Sequence, residues 1–223
     1  MQLHLLSSPG APIIQDVVEI ARPILVRSPK PEVAYLPAGA TERHFLRETR
    51  TAFRRLARVT LLKVESDPLE KLRLVLRRVT LLYIPGGNTY LMAHRLHTRG
   101  WMDLIRQRLL EGLPFIGFSA GAMLCGLDIL TTNDLNCCGC THFTGLGLVP
   151  YNFNMHYPTE EGEARQERDG RMWEYHLFHD QPVLAMQDNA YIRSIPEGLE
   201  LVRGNAWLFE KGKLRAKLNA GSF

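Results

Sequence analysis

Long apolar runs are missing from this 223-residue chain, and none approaches the roughly 20 residues that a membrane-spanning helix needs. The opening Met1-Gln2-Leu3-His4-Leu5-Leu6 has neither a basic leader nor a small-residue cleavage site. A cytoplasmic protein is therefore expected. Repeats and long polar tracts are missing as well, so a single domain over residues 1–223 with one well-buried core is expected. Cysteine is scarce: there are four, three of them in Cys137-Cys138-Gly139-Cys140. Only Cys137 and Cys140 have the spacing of a zinc-binding pair. His142 lies nearby, but no second pair exists elsewhere, so neither a metal nor a cofactor is expected. Reduced or partly buried thiols in a loop are the simpler reading.

A strong charge of either sign is also lacking, the net being +4. The densest cations are Arg43, Arg47, Arg50, Arg54, Arg55 and Arg58, alternating with Phe45, Leu46, Thr49, Phe53 and Leu56 at helical spacing. They read as the solvated face of an amphipathic helix. No aromatic platform or nucleic-acid motif accompanies them, so nucleic acid is not an expected partner.

What is present is an alternation of β-rich and helix-period segments. Strands are expected at Leu3–Leu6, Val33–Leu36, Val59–Lys63, Val79–Ile84 and Phe115–Gly117. Helices are expected over Asp16–Ala21, near Thr41–Leu56, and over Leu69–Val75, Thr89–Leu96 and Met102–Leu110. This pattern argues for an α/β fold with a mostly parallel sheet and helices on both faces. From about Thr131 the texture changes to glycine-punctuated loops and short strands, at Val183–Met186, Tyr191–Ser194 and Ala206–Glu210.

Ligand sites in such sheets form outside the carboxyl ends of the strands. Two motifs mark that rim. Gly117-Phe118-Ser119-Ala120-Gly121 joins an apolar run to a short helix-forming stretch, Ala120–Leu127. A serine on such a turn projects its hydroxyl from the sheet edge, with the next N–H aimed where a carbonyl oxygen would sit. Gly-x-Ser-x-Gly alone also arises by chance. The second motif, Ile84-Pro85-Gly86-Gly87-Asn88-Thr89, follows an apolar strand. It is either a tight turn with Asn88 as helix cap or a set of bare backbone donors at a helix start. In the second reading, Gly87 and Ala120 form an oxyanion hole.

Four motifs in this order, Pro85-Gly86-Gly87-Asn88-Thr89, Gly117-Phe118-Ser119-Ala120-Gly121-Ala122, Thr131-Thr132-Asn133-Asp134 and Asn154-Met155-His156-Tyr157, resemble the peptidase E (aspartyl dipeptidase) family, whose relatives include the cyanophycinases. The resemblance implies a serine peptidase on a flavodoxin-like, class I glutamine-amidotransferase-like three-layer sandwich. It implies Ser119 as nucleophile, His156 as general base and Asp134 as the carboxylate orienting the histidine, with Asp188 as the alternative acid. A serine needs such a base to accept its proton, and the base works best with one tautomer held.

The resemblance further implies that Arg165, in Gly162-Glu163-Ala164-Arg165-Gln166-Glu167-Arg168, grips the side-chain carboxylate of an N-terminal aspartate, with Asn88 among the substrate-binding residues. The same stretch reads equally well as an exposed Arg/Glu-rich helix. Met123 stands where these dipeptidases usually carry asparagine. The expected partners are short peptides with an N-terminal aspartate, with no membrane partner and a homodimer left open. Alternatives are a cyanophycinase-like β-aspartyl hydrolase, a broader serine peptidase, and a non-catalytic module that binds an acidic ligand.

Overall fold

The computed structural model describes residues 1–10, 14–41, 43 and 45–223. Part of the helix expected near Thr41–Leu56 therefore falls on Glu42 and His44, outside the described residues. The first half alternates strand and helix: β1 (Leu3–Leu6), α1 (Gln15–Leu25), β2 (Glu32–Tyr35), α2 (Leu46–Phe53), β3 (Arg58–Leu61), α3 (Leu69–Arg78), β4 (Leu81–Ile84), α4 (Thr89–Thr98), α5 (Trp101–Leu110), β5 (Phe115–Phe118) and α6 (Ala120–Met123). The second half contributes β6 (Asn152–Met155), α7 (Glu163–Phe178), β7 (Val183–Met186), β8 (Tyr191–Ile195), β9 (Gly198–Arg203), β10 (Ala206–Phe209), β11 (Ala216–Lys217) and β12 (Gly221–Ser222).

The main sheet has the order β12-β9-β8-β1-β5-β4-β2-β3, and β1 to β5 run parallel. Every residue of β1, β4 and β5 is buried, as strands covered on both faces must be. Alternate residues feed two cores. Leu81 and Tyr83 meet α1 and α2, whereas Leu82 and Ile84 meet α3, α4 and α5. The result is a three-layer α/β sandwich with a mostly parallel central sheet.

Three features of the second half differ from the sequence expectation. β8, β9 and β12 extend the main sheet in antiparallel fashion. A second sheet, β11-β10-β7-β6, packs beside α6. The 16-residue α7 covers its other face through Met172 and Tyr175 against Val183, Ala185 and Phe209. β6 escapes notice in the sequence because two of its four residues, Asn152 and Asn154, are polar yet fully buried. Each has its amide hydrogen-bonded, Asn152 to Tyr175 and the Asp128 N–H, and Asn154 to the Thr131 carbonyl and Asn133. Burial of unpartnered amides would be costly, so these partners are what allow asparagine in the strand.

Candidate active site

Ser119 stands between β5 and α6 with φ 50° and ψ −121°, a conformation that costs a non-glycine residue about 1–3 kcal/mol. The surroundings hold it there. Its N–H donates to the Leu6 carbonyl at 2.9 Å, and its carbonyl accepts from Ala122 and Met123. Gly121 lies so close to β4 that an added Cβ would sit 2.1 Å from the Ile84 carbonyl oxygen. Only glycine lets α6 start here, and the strained turn aims the hydroxyl outward.

His156 follows β6 and also has a positive φ, 58°. Its Nε2 lies 2.8 Å from Ser119 Oγ, and its Nδ1 lies 2.5 Å from Asp188 Oδ1. The two side chains are 49% and 67% exposed, so the pair stands in solvent at the mouth of the site. With Nδ1–H facing the carboxylate, Nε2 is left as the acceptor facing the serine hydroxyl.

The structure brings Asp188, and not Asp134, to His156. Asp134 was the favoured acid, and its position corrects that assignment. Its Oδ2 accepts from the Thr89 N–H and Oγ1, both at 2.7 Å, and from Thr132 Oγ1 at 3.0 Å. A carboxylate at the first turn of α4 meets unpaired N–H groups and the positive end of the helix dipole, which explains aspartate here without catalysis. The rest of the Thr131–Asp134 run is sewn to β6: Thr131 Oγ1 donates to the Phe153 carbonyl, and Asn133 Nδ2 to the Met155 carbonyl. The motif is thus a strap from the glycine turn to the strand that delivers His156.

Gly87 has φ +147°, and a Cβ there would lie 2.5 Å from the Gly39 carbonyl oxygen. Neither its N–H nor that of Ala120 has an acceptor among the described residues. Asn88, in contrast, is held by the chain through both ends of its amide. Its Oδ1 caps α4 by accepting from the Leu91 N–H at 2.9 Å, and its Nδ2 donates to the Leu135 carbonyl at 2.9 Å. The cap reading holds for Asn88.

Arg165 is only 4% exposed. Its guanidinium donates to the Pro158 and Thr159 carbonyls and to Glu161, and it packs against Tyr157 and Trp207 with centroid distances of 5.2 and 4.9 Å. The open fork expected from the sequence is therefore already filled, in this structure, by the chain's own Glu161. That carboxylate is 70% exposed and also receives Arg215.

Sequence reasoning missed Ser7, at the end of β1. Its fully buried hydroxyl accepts from the His156 N–H at 2.9 Å and donates to the Met186 carbonyl at 3.1 Å. Ser7 N–H donates to the Ala190 carbonyl. One serine thus ties the turn of His156 to the segment carrying Asp188, next to the strand that leads to Ser119. A short polar residue ending an otherwise apolar strand at the carboxyl rim was the available signal.

Among the described residues, no group of three or more His, Cys, Asp or Glu side chains is placed to hold a metal ion. The cysteine loop is organised by Asn136, whose amide bonds both the N–H and the carbonyl of Cys140. No helix among the described residues is long and apolar enough to cross a membrane.

The fold is a three-layer α/β sandwich that lines up a serine, a histidine and a carboxylate at its rim. Residues 3–202 match peptidase family S51, and the chain belongs to that family. A Drosophila melanogaster protein named "Probable alpha-aspartyl dipeptidase" is 35% identical over 122 residues, 53% of this chain and 51% of that one. This chain thus spans about half the length of that relative. Peptidase E of Shewanella denitrificans is 28% identical over 225 residues, 96% of this chain and 92% of its own. The crystal structure of a peptidase from an acI-B1 actinobacterium superposes with a TM-score of 0.71 at 16% identity, covering 99% of this chain and 95% of that one, a likeness of fold.

Proposed function

We propose that this peptidase is a serine exopeptidase that cleaves the bond after an N-terminal aspartate through an acyl-enzyme. The observation that carries the mechanism is the hydrogen-bonded line from Ser119 Oγ through His156 to Asp188. Ser119 attacks the carbonyl carbon as His156 Nε2 takes its proton, and Asp188 holds the tautomer and balances the imidazolium. The Gly87 and Ala120 N–H groups receive the oxyanion, each such donor typically worth about 3 kcal/mol in the transition state. His156 returns the proton to the leaving amine. Water, deprotonated by the same histidine, then releases the acyl group.

The aspartate preference is supported by Arg165 and Glu161. A substrate carboxylate takes the place of Glu161 at the guanidinium, and Glu161 keeps Arg215 as its partner. The cytoplasm is the proposed compartment, on the crowding of free thiols at Cys137, Cys138 and Cys140. The test is hydrolysis of aspartyl p-nitroanilide and of Asp-Xaa, Glu-Xaa and Ala-Xaa dipeptides by wild type, Ser119→Ala and Glu161→Gln. Turnover restricted to aspartate, abolished in Ser119→Ala and with a lower KM in Glu161→Gln, is expected. Serine-dependent turnover that ignores the first residue would leave a broader peptidase.

A further inference from the structure

The carboxyl rim that carries Ser119 continues away from it, past β4 and β2 to the edge strand β3. Between α2 and the end of β3 lies a cavity of about 560 Å³, walled by Arg43, Arg47, Arg50 and Lys63 over Leu46 and Leu61. Arg47, Arg50 and Arg54 follow at i, i+3 and i+7, so they form one exposed stripe while Leu46, Thr49 and Phe53 turn into the core. Arg43, Arg47 and Arg50 take part in no ion pair among the described residues. Elsewhere the surface cations are commonly paired, as Arg78 with Glu32, Lys71 with Asp67 and Arg193 with Glu200. Beyond Thr51 the stripe runs into a second hollow, lined by Arg22, Arg54 and Arg55.

This basic cleft is joined to the nucleophile by direct packing. Phe45, the residue before α2, contacts Phe118, the residue before Ser119, with ring centroids 6.3 Å apart. Three strand spacings of about 4.8 Å separate β5 from β3, or about 14 Å, which an extended peptide covers in about four residues. Among the described residues that line it, the cleft has aliphatic side chains on its floor and no ring on which a base could stack. Its shape and charge therefore favour acidic side chains on a peptide over a nucleic acid.

We propose that the cleft is a second binding site, for acidic side chains about three to five residues beyond the scissile bond of a peptide whose first residue lies at Ser119. The proposal rests on the peptidase reading and extends its substrate class from dipeptides to longer peptides with acidic tails. Because an exopeptidase of this kind has one residue on the acyl side, the tail that reaches the cleft belongs to the leaving group. Attraction between separate, partly solvated charges is modest and salt-sensitive, so the effect is one of KM.

The first arm of the test is independent of turnover. Fluorescein-labelled Asp-Ala-Ala-Glu-Glu-Glu and Asp-Ala-Ala-Gln-Gln-Gln are titrated with Ser119→Ala protein in 20 mM salt, by anisotropy. The acidic peptide is expected to bind about tenfold tighter, with the difference lost in 0.5 M salt and in protein also carrying Arg47→Gln and Arg50→Gln. Equal binding of the two peptides, or a preference that survives the double substitution, would overturn the proposal. So would an oligothymidylate that displaces the acidic peptide at lower concentration and depends on the same arginines.

In the second arm, otherwise wild-type protein with Arg47→Gln and Arg50→Gln is expected to lose the about tenfold KM advantage of the acidic peptide while hydrolysing Asp-Ala as the wild type does. Hydrolysis of Asp-Ala with no advantage for the acidic tail discards the cleft and keeps the peptidase reading. Arginine-dependent binding of the acidic peptide without hydrolysis of any substrate supports the cleft and discards that reading.

Discussion

The turn that holds Ser119 and the turn that holds His156 solve the same problem in opposite surroundings. Both residues have positive φ, 50° and 58°. Around Ser119 the chain is sealed: α6 is entirely buried and Gly121 touches the β4 backbone. His156 and Asp188 project into solvent from the second half of the chain, and their backbone is fastened to the first half by Ser7. Ser119 is therefore placed by local packing, whereas His156 and Asp188 are placed by a few long-range hydrogen bonds. Damage to the first should unfold the protein or silence it, and damage to the second should degrade the geometry of an intact fold.

The largest effects belong to the sealed side. Gly121→Ala drives a methyl into the Ile84 carbonyl and is expected to cost more than about 4 kcal/mol, seen as insoluble protein or a collapsed Tm. Ser119→Ala keeps the fold, and kcat on aspartyl p-nitroanilide should fall by about 10⁴-fold or more. A soluble, fully stable Gly121→Ala protein would erase the contrast.

Next come the two carboxylates. Asp188→Asn is expected to lower kcat about 10²- to 10⁴-fold with stability nearly unchanged. Asp134→Asn should cost about 1 kcal/mol in chemical denaturation while kcat stays within tenfold of wild type, since its bonds go to α4 and Thr132. The reverse outcome would return the triad to Asp134. Ser7→Ala removes the partner of the His156 N–H, so about 1 kcal/mol of stability is lost and kcat falls about tenfold at constant KM. Ser7→Thr should recover part of the rate if the hydroxyl, and not the volume, is what positions His156.

The smallest effect on activity, one felt in stability alone, sharpens the boundary between the halves. His4 on β1 is bonded to Tyr191 of β8 at 2.5 Å, and burial, with Arg193 adding charge repulsion, lowers its pKa from 6.5 to about 4. Between those values the unfolded chain takes up a proton that the folded chain refuses. Stability therefore falls as pH drops through this window, by about 3 kcal/mol at its lower end. His4→Gln should flatten that part of the stability profile, measured by urea melts from pH 7 to pH 4.

The same contrast explains what the sequence revealed. The strands β1 to β5 are apolar runs closed by local turns, and their expected bounds agree with the structure to within about two residues at either end. Ser119 was legible because its turn is written in five consecutive residues. His156 was found through a motif, since nothing in its neighbourhood's periodicity marks it. Asp188 was kept only as the alternative because its role arises from where β7 ends relative to β6, a pairing across some thirty intervening residues. β6 hid behind buried asparagines. The start of α7 was readable as an exposed charged helix, and its buried face was not, because one of the residues it buries is Arg165 itself. Arg165 was read as reaching for a ligand, and in the structure it is filled by Glu161 and backbone carbonyls.

The position of Ser7 has a consequence for the order in which the molecule is made. The strand it ends leaves the ribosome before β2 to β12, yet its hydroxyl finds its partners only when residues 156 and 186 have emerged. Until then Ser119 has no His156 beside it. Under the proposed mechanism a nascent chain long enough to display Ser119 is still inert, and hydrolysis begins only once the residues of the second sheet have bonded to Ser7.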